Sequence, residues 1–197
     1  MFITQDVVEI ASLLKEKPGA VIAYPTETFY GLGALISDHD AIERIIKIKG
    51  RDAAKGMIVI ASDMEMARTV AEIDDTALTL LQRFWPGPLS AVLRAKEHID
   101  AILAPDGKTA VRISPHPLAL SLVRNSGPFT STSANISGHP PAQTVEEVTA
   151  QNLAIDGILD GGSTPGGRPS TLVDLTQWPP VLLRDGAIPV ETIVSAL

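Results

Sequence analysis

The sequence predicts an α/β fold built around a largely central sheet. Two observations carry the prediction. Segments with helically spaced apolar residues alternate with short apolar runs of strand length along all 197 residues. Polar residues collect just beyond the ends of those runs, where open α/β sheets bind their ligands. No repeat, linker or low-complexity tract divides the chain, and its length suits one domain, 1–197, with a sizeable core.

From the N-terminus, "TQDVVEIASLLKE" places Val7, Val8, Ala11 and Leu14 at helical spacing, with Thr4 as N-cap. Next, "AVIAY" reads as a buried strand and "PTETFYGLG" as a polar loop. "DAIERIIKIKG" is a helix with Ile42, Ile45 and Ile46 inward, ended by Gly50. "MIVIA" is a strand, and Ser62 with Glu65 forms a capping box that opens the following helix. "DDTALTLLQRF" is a further helix, stopped by "WPGP", where Trp85 reads as a core anchor. "LSAVLRA", "TAVRI" and "PFTST" are strands, with the helix "HPLALSLVRN" before the last. Thr144 and Glu147 make a second capping box ahead of "VEEVTAQN". "GILDGG", "TLVDL" and "VLLRDG" are strands, and "PVETIVSAL" closes as a short helix.

Composition excludes several classes. Hydrophobic residues make up 45% and charged residues 20%, the balance of a globular chain. No apolar run approaches the ~20 residues that span a bilayer, and "MFITQDVVEI" lacks the regions of a signal peptide. There is no cysteine, which excludes disulfides, thiolate metal sites and a Cys nucleophile. A cytoplasmic location is expected. The net charge of -7 disfavours a protein that coats nucleic acid, so an RNA contact requires a local basic patch. His39, His98, His116 and His139 are scattered and suggest no metal site. No G-x-S-x-G elbow is present.

Five polar loops remain: "PTETFYGLG", "KIKGRDAAKG", "VRISPHP", "STSANISG" and "GGSTPGGRPST". The second reverses the sign of an acidic chain by placing Lys47, Lys49, Arg51 and Lys55 within nine residues. It reads either as a solvated helix C-terminus or as a phosphate clamp. "GGSTPGGRPST" fails as a P-loop, because Arg168 and Pro169 stand where Lys and Ser/Thr belong, and taken alone it is a turn. "GLGALI" lacks the third glycine of a dinucleotide fingerprint. "STSANISG" offers hydroxyls and an amide for a nucleotide or an amino acid, or forms an Asx or Ser turn.

Together these loops resemble the YrdC-like family, the threonylcarbamoyl-AMP synthases of tRNA modification. The matching segments are "YPTETFYGLG", "IKGR" with "KGMIVI", "RFWPGPLSAVL", "AVRISPHPLAL", "STSANISGHPPAQT", "ILDGG", "PSTLVDL" and "LLRDGAI", in family order. One position departs from the pattern: Asp52 follows Arg51 where the family usually has Pro. The chain ends soon after the last segment, so the short, single-domain form is expected.

The resemblance implies a twisted, open mixed sheet flanked by helices, with a concave, locally positive face. It implies condensation of L-threonine, bicarbonate and ATP, with Mg²⁺ accompanying ATP and no dedicated protein metal site. The product passes to a tRNA-modification transferase complex. Lys49, Arg51 and Lys55 match the catalytic basic triad. Arg51, Lys55, Lys108, Ser133, Asn135 and Arg184 fall at ATP-binding positions. Thr28, Tyr30, Arg112, Ser131 and Ser170 fall at threonine-binding positions, with the glycines of "YGLG" letting the backbone come close. The rival readings are an RNA-binding module of the same fold and a paralogue without synthase activity.

Overall fold

The structure, a computed structural model, describes residues 1–50 and 57–196. In chain order its elements begin with β1 (Phe2–Thr4), α1 (Val7–Glu16), β2 (Ile22–Pro25), β3 (Tyr30–Gly33), α2 (His39–Lys49) and β4 (Ile58–Ile60). There follow α3 (Met64–Val70), α4 (Asp75–Phe84), β5 (Leu89–Arg94), β6 (Lys108–Arg112), α5 (Pro117–Ser126) and β7 (Phe129–Ser133). The last are α6 (Val145–Ala150), β8 (Gly157–Leu159), β9 (Thr171–Asp174), β10 (Val181–Arg184) and α7 (Val190–Val194). The strands form one sheet in the order β1-β8-β2-β3-β7-β4-β6-β5-β9-β10. It is mixed: β1, β8 and β2 run parallel, as do β4 with β6 and β5 with β9. The other neighbours are antiparallel. The expected open α/β sheet flanked by helices is present.

Helices pack on both sheet faces, which is why β2 and β4 read as apolar runs. Side chains alternate between the faces. Val21 and Ala23 enter the core built by α2, α3 and α4, while Ile22 and Tyr24 enter the core built by α1 and α5. Likewise Val59 faces the first core and Ile60 the second. Trp85 anchors the first core as expected, its indole N–H donating to Leu89 O at 2.7 Å.

Several local expectations shift. Thr4 ends β1, and the N-cap of α1 is Asp6, whose carboxylate accepts from Val8 N. Ile10 is then inward and Val8 outward. Asp63 rather than Ser62 caps α3, and Ser62 donates to the Asp63 carboxylate. A carboxylate one or two residues beyond each predicted cap accepts the orphan N–H instead. Thr144 does cap α6, but Glu147 reaches back to Gln143 N rather than to the Thr144 N–H. The largest revision is "YGLG". It is strand β3, paired with β2 and β7. A Cβ on Gly33 would stand 2.8 Å from the Phe129 ring and 2.9 Å from Tyr24. That glycine makes room for the edge-to-face Tyr24–Phe129 pair, centroids 4.7 Å apart, rather than for a ligand.

Asp156 ties three parts of the chain together. Its carboxylate, 8% exposed, accepts from Lys17 Nζ, Arg44 Nη1 and Val21 N. Arg44 also donates to Gly19 O and Ala154 O.

A second tie links α2 to the segment before β6: His39 Nδ1 lies 2.6 Å from Asp100 Oδ2. The Asp100 hydrogen bond and charge raise the His39 pKa above its ordinary value. Burial pushes Asp100 up, but the hydrogen bonds from His39 and Ile102 N bring it below its ordinary value. The His39 contribution is therefore complete below the ordinary imidazole value of ~6.5 and disappears as pH rises through the raised one. At the acid end it fades as Asp100 protonates. The urea midpoints of the wild type and His39→Ala should differ at about pH 6 and converge towards about pH 9. The difference should be small and salt-sensitive, since the imidazole is exposed. A gap that widened with pH would contradict the tie.

Candidate active site

Helices α1 and α5 cover only part of their sheet face. Ile60 and Phe129 lie beneath them. Two residues along the same strands, on the same face, Ile58 and Ser131 line an open cavity of about 660 Å³. Around it the β2–β3 hairpin supplies Thr26, Thr28 and Tyr30, and α2 supplies Lys49. β6 supplies Arg112, β7 and the turn after it supply Ser131, Ser133 and Asn135, and the far strands supply Ser170 and Arg184. The fold thus gathers Thr28, Tyr30, Lys49, Arg112, Ser131, Ser133, Asn135, Ser170 and Arg184. Lys108 is not in the described lining; its ammonium pairs with Asp174 at 3.2 Å. Arg51, Asp52 and Lys55 lie outside the described residues. Among the described residues, the lining carries three cations and no carboxylate.

Each charged group is held. Lys49 ends α2, is 3% exposed and precedes Gly50, whose left-handed φ of 58° closes the helix. Its ammonium donates to Ser133 O at 2.6 Å, Asn135 O at 2.7 Å and Asn135 Oδ1 at 2.8 Å. The lysine thereby fixes the turn that carries the "STSAN" polar groups. Arg184 donates to Ser170 O and Oγ, each at 3.0 Å, and Ser170 Oγ meets Ser90 Oγ at 2.9 Å. Burial, and then the nearby Arg112 charge, lower the Arg184 pKa.

Arg112 is 4% exposed. Its Nη1 stands 2.9 Å from Glu27 Oε1, an ion-pair contact whose geometry falls short of a hydrogen bond. Arg112 Nε is buried with no hydrogen-bond partner among the described residues. The other Glu27 oxygen accepts from Ser114 Oγ, and Ser114 accepts from His116 N. Burial lowers the His116 pKa, against the pull of Glu27.

The Tyr30 hydroxyl donates to Gly162 O at 2.8 Å and accepts from Gly161 N at 3.1 Å. It fastens the hairpin to the glycine loop, and burial raises its pKa. Gly166 N donates to Thr28 O at 2.7 Å, so the glycine loop packs against the hairpin rather than standing alone as a turn. Thr26 Oγ accepts from Thr28 N and Phe29 N, which folds the hairpin tip and presents Thr28 to the cavity.

Sequence reasoning did not nominate Glu27, Ser90 or Ser114. The first two carry a signal in the sequence: an acid between two threonines, and a serine inside the apolar run "LSAVL".

Comparison with known proteins gives this cavity a context. The Sua5/YciO/YrdC family model, described as telomere recombination, matches residues 15–186. The chain belongs to this family. A threonylcarbamoyl-AMP synthase of Pyrococcus abyssi is 42% identical over 185 residues, covering 92% of this chain and 54% of that protein. Another, from Thiobacillus denitrificans, is 41% identical over 161 residues, covering 80% of this chain and 85% of that one. Among solved structures, P. abyssi Sua5 complexed with L-threonine superposes with a TM-score of 0.92 at 38% identity, over 100% of this chain and 60% of that one. E. coli YciO superposes with 0.87 at 26% identity, over 98% and 97%. The chain spans about half the length of some Sua5/YciO/YrdC relatives, 54% for P. abyssi and 56% for Bacillus subtilis.

Proposed function

We propose that this protein is a threonylcarbamoyl-AMP synthase, a single domain over 1–197 that works in the cytoplasm. It condenses L-threonine, bicarbonate and MgATP and hands its product to a tRNA-modification transferase complex. The observation that carries the reading is the cavity lining, rich in hydroxyls and cations and, among the described residues, free of carboxylates. Its volume of about 660 Å³ lies within the range of small-ligand sites. The threonine bound in the P. abyssi Sua5 structure supports the amino acid assignment.

The threonine amine and bicarbonate form a carbamate with loss of water. A carbamate oxygen then attacks the α-phosphorus of ATP, the bond to the bridging oxygen breaks, and pyrophosphate leaves. An anion must approach a polyanion, so the protein's work is neutralisation and alignment. Arg112 presents a guanidinium to the threonine carboxylate. Thr28, Ser131 and Ser170 meet the amino acid's polar groups, and Tyr30 forms its wall. Ser133, Asn135 and Arg184 hold the nucleotide. Lys49 sets the nucleotide turn, and Arg51 and Lys55 bring charge to the phosphates. Magnesium would come with ATP, held mainly by its phosphates and water, and would add positive charge there.

Pyrophosphate release should therefore require threonine and bicarbonate together, and no RNA. Serine lacks one methyl and should react ~10- to 200-fold less efficiently. Valine, without the hydroxyl, should be rejected more strongly, because it strands the pocket's polar groups. Pyrophosphate assays with each amino acid, with and without bicarbonate, decide the matter. ATP breakdown indifferent to both would end the synthase reading.

A further inference from the structure

Glu27 sits between two residues that line the cavity, Thr26 and Thr28, yet is absent from the described lining. Its side chain is 14% exposed and pairs with Arg112. One carboxylate oxygen stands 2.9 Å from Arg112 Nη1, and the other accepts a hydrogen bond from the Ser114 hydroxyl. Ser114 follows Arg112 by two residues, just past the end of β6. Glu27 thus joins the hairpin that carries Thr28 to the strand end that carries Arg112.

A guanidinium this buried needs a counter-charge, since an unpaired buried ion costs several kcal/mol. Glu27 supplies it without using up the arginine. The contact with Nη1 is not a formed hydrogen bond, and Nε has no partner among the described residues. Arg112 is held in place while retaining donors for a second carboxylate.

We infer that Glu27, braced by Ser114, is the positioning residue for Arg112, and that it sets the affinity for the amino acid's carboxylate without touching substrate. This rests on the proposed role of Arg112. Removing the brace lets the guanidinium shift within the wall. Small misplacements of a positioning group cost on the order of 10- to 100-fold. The loss falls on amino acid binding, because the nucleotide groups Lys49, Asn135 and Arg184 hang on other hydrogen bonds.

The test measures KM for threonine and for ATP, kcat, and the threonine-induced rise in Tm. Glu27→Ala should raise the threonine KM by ~10- to 100-fold and shrink the threonine-induced Tm rise, with the ATP KM within about twofold. Glu27→Gln keeps an acceptor for Arg112 but not the counter-charge, and its threonine KM should fall between those of the wild type and of Glu27→Ala. In an Arg112→Ala background, Glu27→Ala should add nothing further to the loss of threonine binding. Ser114→Ala, a gentler change, should move the threonine KM in the same direction by about threefold and stands in if Glu27→Ala does not fold. An unchanged threonine KM in the folded Glu27 variant overturns the inference. So does an ATP KM that rises as far, or a glutamine variant as impaired as the alanine. Wild-type turnover that ignores threonine would instead remove the synthase reading itself.

Discussion

If the proposed synthase reading holds, Lys49→Met should lower threonylcarbamoyl-AMP synthesis by at least ~100-fold, the scale of losing one electrostatic donor in a preorganised site. Methionine fills much of the same space but carries no charge and no donor. The wild-type ammonium serves Ser133 O, Asn135 O and Asn135 Oδ1, all within 2.8 Å. Without it those acceptors are left in a place reached by little water, at ~1–3 kcal/mol for each that finds no substitute. The turn from Ser133 to Asn135 then loses its anchor at the same moment as the cavity loses a cation. Steady-state kinetics with ATP and threonine varied separately should show the damage on the nucleotide side. A folded Lys49→Met enzyme with wild-type rates would mean that the buried cation contributes nothing to synthesis.

The largest loss of stability should come from Asp156→Ala. Truncating one partner of a buried, hydrogen-bonded ion pair costs ~3–5 kcal/mol. Lys17 and Arg44 keep some access to water, at 54% and 33% exposure, which places the expectation near the lower end. About 3 kcal/mol corresponds to a fall in Tm of roughly 6–12 °C for a domain of this size. Asp156→Asn keeps an acceptor for Val21 N and should lose less. The wild-type contribution also has a pH signature. Burial raises the Asp156 pKa, but the bonds from Lys17, Val21 N and Arg44 bring it below its ordinary value. The stabilisation is therefore present above the ordinary carboxylate pKa and is lost as pH falls through the lowered one. Thermal scans of both variants near neutrality, and of the wild type into acid, measure it. A Tm unchanged by Asp156→Ala would show that the lysine and arginine find equivalent partners elsewhere.

What could be read in the sequence follows the range of the interactions involved. Helix α2 was legible because Ile42, Ile45 and Gly50 are local signals, and the structure uses them as expected. Strand β1 was not, because three residues at a sheet edge, with Phe2 and Ile3 exposed, have no pattern to show. Strand β3 was hidden by its composition: Tyr and two glycines resemble a loop until the Tyr24–Phe129 pair explains the missing side chains. Thr4 and Ser62 are good capping residues that lost to Asp6 and Asp63 nearby. For the cavity, the polar loops marked the region, but their convergence came from resemblance to a family. Contacts such as Tyr30 to Gly162, Arg184 to Ser170 and Glu27 to Ser114 join residues far apart in the chain, and no local pattern announces them.

One face of the sheet serves as core beneath α1 and α5 and as cavity wall beyond them, and the changeover falls within single strands. Phe129 and Ser131 are next-but-one neighbours on β7, yet the first is buried beneath helices and the second opens on the cavity. Two regimes of selection therefore meet along a few ångströms of rigid backbone. Exchanges at Phe129 are judged by volume, because they must refill a space shared with helix side chains. Exchanges at Ser131 are judged by chemistry. A resized residue at Phe129 that displaces β7 would also displace the Ser131 and Ser133 hydroxyls on the same strand. The opposite face is coupled to the cavity as well, because Tyr30 belongs to the α2–α4 core and Lys49 ends α2, and both line the cavity.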